Sequence, residues 1–131
     1  MKVLPQDLML GDWVRAIDGE MLTVPIQVEG ITAESIMAGG KVYKADMLQG
    51  IALTAARLEK NGFVKKVQCG RTCYVIPETE QSEEVAIIEY DCHGMKTYWY
   101  VTDMLMLVRL THLSDLQHAL RMDGKIKEVR P

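Results

Sequence analysis

Residues 85–101 read Val-Ala-Ile-Ile-Glu-Tyr-Asp-Cys-His-Gly-Met-Lys-Thr-Tyr-Trp-Tyr-Val. Two runs rich in β-branched and aromatic side chains, 85–90 and 96–101, flank the turn-rich Asp91-Cys92-His93-Gly94-Met95. Such residues fit a pleated, half-buried surface, so the stretch predicts a β-hairpin. Because side chains alternate across a strand, Tyr98, Trp99 and Tyr100 must fall on both faces of the second arm. At least one of those faces must be covered by something else in the chain.

The segments upstream supply more strands. Residues 11–17 are rich in Trp, Val and Ile and end at Asp18-Gly19, a pair suited to the positive φ angles of a tight hairpin turn. Leu22, Val24, Ile26 and Val28 then alternate with Thr23, Pro25, Gln27 and Glu29, which predicts one half-buried strand with its apolar set on one face. Pro25 has no backbone donor and places that strand at an edge or a bulge. Gly39-Gly40 marks another turn before a short strand at 41–44. Residues 46–53 follow no regular pattern. Strands are expected at 63–69 and 73–76, joined through Gly70-Arg71-Thr72, and the polar, acidic segment 77–84 reads as an exposed loop. Residues 104–110 are too uniformly apolar for periodicity to decide, but the helix start that follows favours a buried strand.

Two helices are expected. Thr54 offers an N-cap to a helix over 55–61, and Gly62 lies where a left-handed C-terminal residue belongs. Ser114 and Gln117 have the capping-box spacing for a helix over 114–122, with Leu113, Leu116, Ala119 and Leu120 along one side and Gly124 ending it. Residues 126–129 suggest a terminal strand. Short strands with two helices and no βαβ rhythm describe an α+β fold with mainly antiparallel pairing. The spacing of the first five strands is compatible with an SH3-like N-terminal barrel. The expectation is one domain over 1–131, with a subdivision into 1–53 and 54–131 left open.

Composition narrows the class. With 48% hydrophobic and 25% charged residues, the chain matches folded globular proteins rather than disordered ones. Its longest aliphatic run, 104–108, is far short of the roughly 20 residues of a membrane helix. The N-terminus lacks the apolar core of a secretory signal. Cys69, Cys73 and Cys92 are odd in number, which fits reduced thiols. These points predict a soluble, cytoplasmic protein with no membrane partner. A net charge of −3 argues against a surface adapted throughout to phosphate. The charge is uneven, though: between 57 and 71 Arg57, Lys60, Lys65, Lys66 and Arg71 stand against only Glu59, whereas 78–91 holds six acids and no base. A local basic face stands beside the plainer reading of solvated charge.

Candidate sites are few. Cys69, Cys73, Cys92, His93, His112 and His118 carry zinc-ligand atoms, but the C-x3-C, Cys-His and H-x5-H spacings lack the paired pattern of structural zinc. On one helix, positions six apart would lie about 240° around the axis. No nucleotide-binding or hydrolase motif is present. Trp13, Tyr98, Trp99 and Tyr100 could form an aromatic platform for bases or peptides, with Lys65, Lys66 and Arg71 on a neighbouring strand; core packing is the competing reading of those rings. The candidate binding residues are therefore His112, His118, Lys65, Lys66, Arg71 and Trp99, with no catalytic, cofactor or metal residue assigned.

Three stretches stand out: Leu8-Met9-Leu10-Gly11-Asp12-Trp13-Val14, the segment from Leu53-Thr54 through Leu58-Glu59-Lys60-Asn61-Gly62-Phe63, and His112-Leu113-Ser114-Asp115-Leu116-Gln117-His118-Ala119-Leu120. Together they resemble an uncharacterised family of small proteins common in Bacteroidetes genomes and their prophages or mobile elements. The first two match L-x-x-G-D-W-V and L-T-x-x-x-L-E-K-N-G-F, and the third carries the L-Q-H-A-L of H-x-L-Q-H-A-L with three residues rather than one between His112 and Leu116; Ala55-Ala56 and Met122-Asp123 also depart from the family pattern. The resemblance implies a phage or mobile-element setting and no activity. The sequence thus points to a non-enzymatic binding or accessory module with a protein or nucleic-acid partner and no cofactor, homo-oligomer formation being left open. The rival is a small metal- or thiol-dependent enzyme using His112, His118, Cys92 or Cys69.

Overall fold

The computed structural model describes residues 8–80, 83–125 and 127–131. They form two compact units, one of residues 8–52 with 112–114 and 131, the other of 53–80, 83–111, 115–125 and 127–130.

The first unit is a six-stranded antiparallel sheet. Its strands are β1 (Trp13–Asp18), β2 (Met21–Leu22), β3 (Ile26–Ile31), β4 (Ser35–Ala38), β5 (Lys41–Lys44) and β6 (Leu48–Gly50), with a 3-10 turn at Ala45–Met47 before the last. Val14 and Ala16 point inward from β1 and pack with Leu8, Val28, Ile36 and Leu48. Gly39 and Gly40, both at positive φ, make the two-residue turn between Ala38 and Lys41, as expected. The run over 22–29 has the irregularity expected at Pro25 but not the continuous apolar face. Val14 to Ile17 on β1 is three steps, but the paired residues Ile26 and Leu22 are four apart, so an extra residue bulges out around Pro25. The alternating run is broken there, and Leu22 and Val24 are exposed at 45% and 75% rather than inward. β6, which lies in the irregular stretch 46–53, pairs with β1 through Val14, Arg15 and Ala16.

The second unit carries a five-stranded antiparallel sheet in the order β11-β10-β9-β8-β7. Here β7 is Val64–Gln68, β8 Arg71–Ile76, β9 Val85–Cys92, β10 Met95–Val101 and β11 Leu107–Leu110. The central hairpin forms as expected, tightened to a two-residue turn at His93-Gly94 with both φ positive. The β7–β8 turn is Cys69-Gly70, one residue earlier than the sequence suggests, so Arg71 and Thr72 belong to β8. Residues 77–80 and 83–84 are an exposed loop. Only 107–110 of the apolar run is strand; Met104, Leu105 and Met106 stand out in the loop before it, 83%, 83% and 63% exposed.

Helix α1 (Ala55–Lys60) starts at Thr54, whose hydroxyl accepts from Arg57 N at 3.2 Å, and stops at Gly62 with φ +90°. Helix α2 (Leu113–Met122) ends in a Schellman motif: Lys125 N reaches Leu120 O at 2.8 Å around Gly124 at φ +72°. Its start departs from the expected capping box. The helix already includes Leu113, and the Asp115 carboxylate, not Gln117, reaches back to a free donor, Thr111 N at 2.8 Å.

Gln117 is used elsewhere. Its amide donates to Lys127 O at 3.0 Å and accepts from Val129 N at 2.9 Å. Asn61 does the same for the next residue, accepting from Arg130 N at 2.7 Å and donating to Arg130 O at 2.8 Å. Both amides are buried. They take the place that a strand edge would, so residues 127–131 are not a strand; Ile126 lies outside the described residues. Replacing Asn61 or Gln117 with Ala strands buried backbone groups and should cost about 1–3 kcal/mol each. Denaturant unfolding measures the loss, and native-state exchange at the Val129 and Arg130 amides should accelerate in the matching variant. Unchanged exchange would show that the tail is held by other contacts.

Candidate functional site

A sheet has two faces, and register assigns every side chain of the second unit to one of them. Lys65, Tyr74, Ile87, Tyr100 and Val108 stand in one cross-strand row, and Val67, Thr72, Glu89, Tyr98 and Leu110 in the next. These rows make the inner face. Tyr74, Tyr98, Tyr100, Ile87 and Leu110 are buried there, with Leu58 of α1 and Leu116 and Leu120 of α2 also fully buried. The Tyr98 hydroxyl meets the backbone of Ala55 at the start of α1, and Tyr100 donates to Asp123 just beyond α2 at 2.8 Å. Burial, reinforced by the Glu89 carboxylate, raises the phenol pKa of Tyr74 and Tyr98; burial and Asp123 raise that of Tyr100.

The opposite, outer face is different in kind. Its middle row runs Lys66, Cys73, Ile88, Trp99, Arg109, one residue from each strand in continuous register. On one side lie Val64, Val75, Ala86, Val101 and Leu107; on the other, Gln68 and Arg71, then Tyr90 and Thr97. No residue in these rows is acidic, although the chain carries −3 overall. Trp99, Tyr90, Ile88 and Val101 are half-exposed, whereas Lys66, Arg71 and Arg109 are exposed. The Trp99 indole donates to Thr97 Oγ1 at 3.3 Å. Arg71 lies 5.2 Å from the centre of the Tyr90 ring and donates to its hydroxyl at 3.0 Å. Tyr90, Thr97, Trp99 and Leu107 line an open groove of 380 Å³.

The expected platform is therefore rearranged. Of the four aromatic residues suggested for it, only Trp99 lies on the outer face: Tyr98 and Tyr100 are core, and Trp13 belongs to the first unit. Lys66 and Arg71 join Trp99, while Lys65 alternates to the inner side at the sheet edge. Tyr90 and Arg109 complete the face. They are distant in sequence from the basic stretch, and only the pairing of β9 and β11 with β10 brings them in. A separate apolar feature is the 102–106 loop with α2, where Met106, Val108, Ala119 and Met122 line a second recess of 190 Å³.

His112 belongs to the first unit and His118 to the second. His112 forms a bridge with Ala52, and its ring lies against Gly50 so closely that a Cβ there would come within 2.5 Å of it. Among the described residues no group of three or more His, Cys, Asp or Glu could hold a metal. The three thiols are unbridged; Cys69 and Cys92 are exposed at hairpin ends and Cys73 is half-buried. No family model, curated protein or solved structure matches the chain.

The Gly50 contact gives His112 a structural role that can be tested. Gly50→Ala forces the ring or the β6 backbone to move and should cost about 1–3 kcal/mol. In a His112→Ala background the same change should cost much less, a coupling read from a double-mutant cycle by thermal or denaturant unfolding. Equal costs in both backgrounds would contradict the contact.

Proposed function

We propose that this protein is a non-enzymatic binding module whose ligand-facing surface is the outer face of the five-stranded sheet. The observation that carries this reading is Trp99, held half-exposed in register with two exposed cations, Lys66 and Arg109. An indole, an isoleucine and a tyrosine left half-exposed side by side on one sheet face form an apolar patch of the kind that marks interaction sites. The strongly raised tyrosine pKa values belong to the packed inner face and not to a cleft, so they do not describe acid-base machinery.

The first unit is read as an SH3-like small barrel. β1 pairs with β3 along one edge and β6 along the other, bringing both ends of the meander onto a single strand. The three motif stretches support membership of the Bacteroidetes family described above and an accessory role in a phage or mobile-element setting. Asp12 accepts from Met9 N at 2.7 Å beside Gly11 at φ +86°, Asn61 and Gln117 hold the tail, and His112 packs on Gly50, so the motif residues are read as scaffold.

The chain contains two tryptophans, so Trp13→Phe leaves Trp99 as the lone indole reporter on the outer face. Titrating that variant with heparin, a single-stranded oligonucleotide, an acidic peptide and an apolar peptide should shift Trp99 emission with at least one of them. Inertness to all four, together with stoichiometric zinc or iron in the purified protein, would favour the metal-enzyme alternative.

A further inference from the structure

Resting on that reading of the outer face, we infer that its ligand is a single-stranded nucleic acid, with a base stacked on Trp99 and phosphates held by Lys66, Arg71 and Arg109. Charge decides the class first. Lys66 and Arg109 make no ion pair with any described residue, and Arg71 is engaged only by the ring and hydroxyl of Tyr90. The face thus bears three cations without an acid on a chain that is acidic overall, which selects a polyanion.

Geometry then separates polyanions. Lys66 and Arg109 end a row that crosses all five strands, four strand spacings or about 19 Å, with Trp99 one spacing from Arg109. A chain lying along the row meets a cation, an apolar stretch over Cys73 and Ile88, the indole, and a second cation. A polyanion without flat apolar groups would leave the indole, Ile88 and the Tyr90 groove wet. An apolar peptide would leave the cations unmet. An unstacked nucleotide strand supplies both charge and ring faces, and aromatic stacking with a flanking basic track is how sequence-tolerant single-strand binding works. A duplex keeps its bases stacked inside and has none to offer Trp99. The Tyr90 ring, already held by Arg71, is positioned to take a neighbouring base from the adjacent row.

The probe is a twenty-residue oligo(dT), added to the Trp13→Phe protein and followed by Trp99 emission and by anisotropy of the labelled strand. Trp99 emission should be quenched on binding, and affinity should fall as salt rises. Trp99→Ala should weaken binding at least fivefold, as loss of one stacked base implies. Lys66→Gln with Arg109→Gln, two exposed changes that leave the core intact, should make the salt slope shallower by about 1.4, or roughly 0.7 per phosphate contact. The inference is overturned if oligo(dT) does not bind at low salt, if a duplex of equal length binds as tightly, or if both variants bind like the parent. In any of those cases, a peptide that still shifts Trp99 emission leaves the binding-face reading standing; silence of Trp99 toward every probe removes that as well.

Discussion

The alternation of side chains along β10 is the constraint on which the second unit depends. Tyr98 and Tyr100 point one way and become core; Trp99 lies between them and must point the other way. A one-residue slip in this strand would exchange its two sets against the faces of its neighbours, burying the indole and exposing both phenols. The register is held against such a slip by the buried tyrosines, by the Tyr100 bond to Asp123 and by the edge-to-face contact of Tyr74 and Tyr98 at 6.1 Å. The same packing that fills the inner face fixes what the outer face displays.

From this follows a division of labour. The inner face buries Tyr74, Ile87, Tyr98, Tyr100 and Leu110, and the buried amides Asn61 and Gln117 hold the end of the chain without adding another strand. The outer face buries Val75 but leaves Trp99, Ile88 and Tyr90 half-exposed beside its cations. Its three rows differ in character, from apolar at Val64 to Leu107, through the mixed row containing Trp99, to the polar and aromatic row containing Arg71 and Tyr90. The described helices are too short and polar to cross a membrane.

Local signals in the sequence were legible where one residue determines one backbone feature. Thr54 as a cap, Gly62 and Gly124 as helix stops, Gly39-Gly40 as a turn and the 85–101 hairpin all follow from such chemistry. Features set by partners far along the chain were not. β6 exists because β1 offers it an edge, and nothing in Leu48-Gln49-Gly50 alone announces a strand. Gln117 has capping-box spacing, yet the tail backbone at 127–129 is a better partner than its own helix end. At the candidate site, Trp99, Lys66 and Arg71 were readable as residue types, but clustering by sequence brought in Lys65 and the two core tyrosines. Arg109 and Tyr90 could have been found by carrying strand parity outward from Trp99 across the neighbouring strands.

Photo-crosslinking of an oligonucleotide containing 5-bromodeoxyuridine, followed by mass-spectrometric mapping of the adducts on the intact chain, tests the central claim most directly. The account predicts adducts concentrated on Trp99 and Tyr90. Adducts confined to the first unit or to the 102–106 loop, with Trp99 and Tyr90 unmodified, would contradict it.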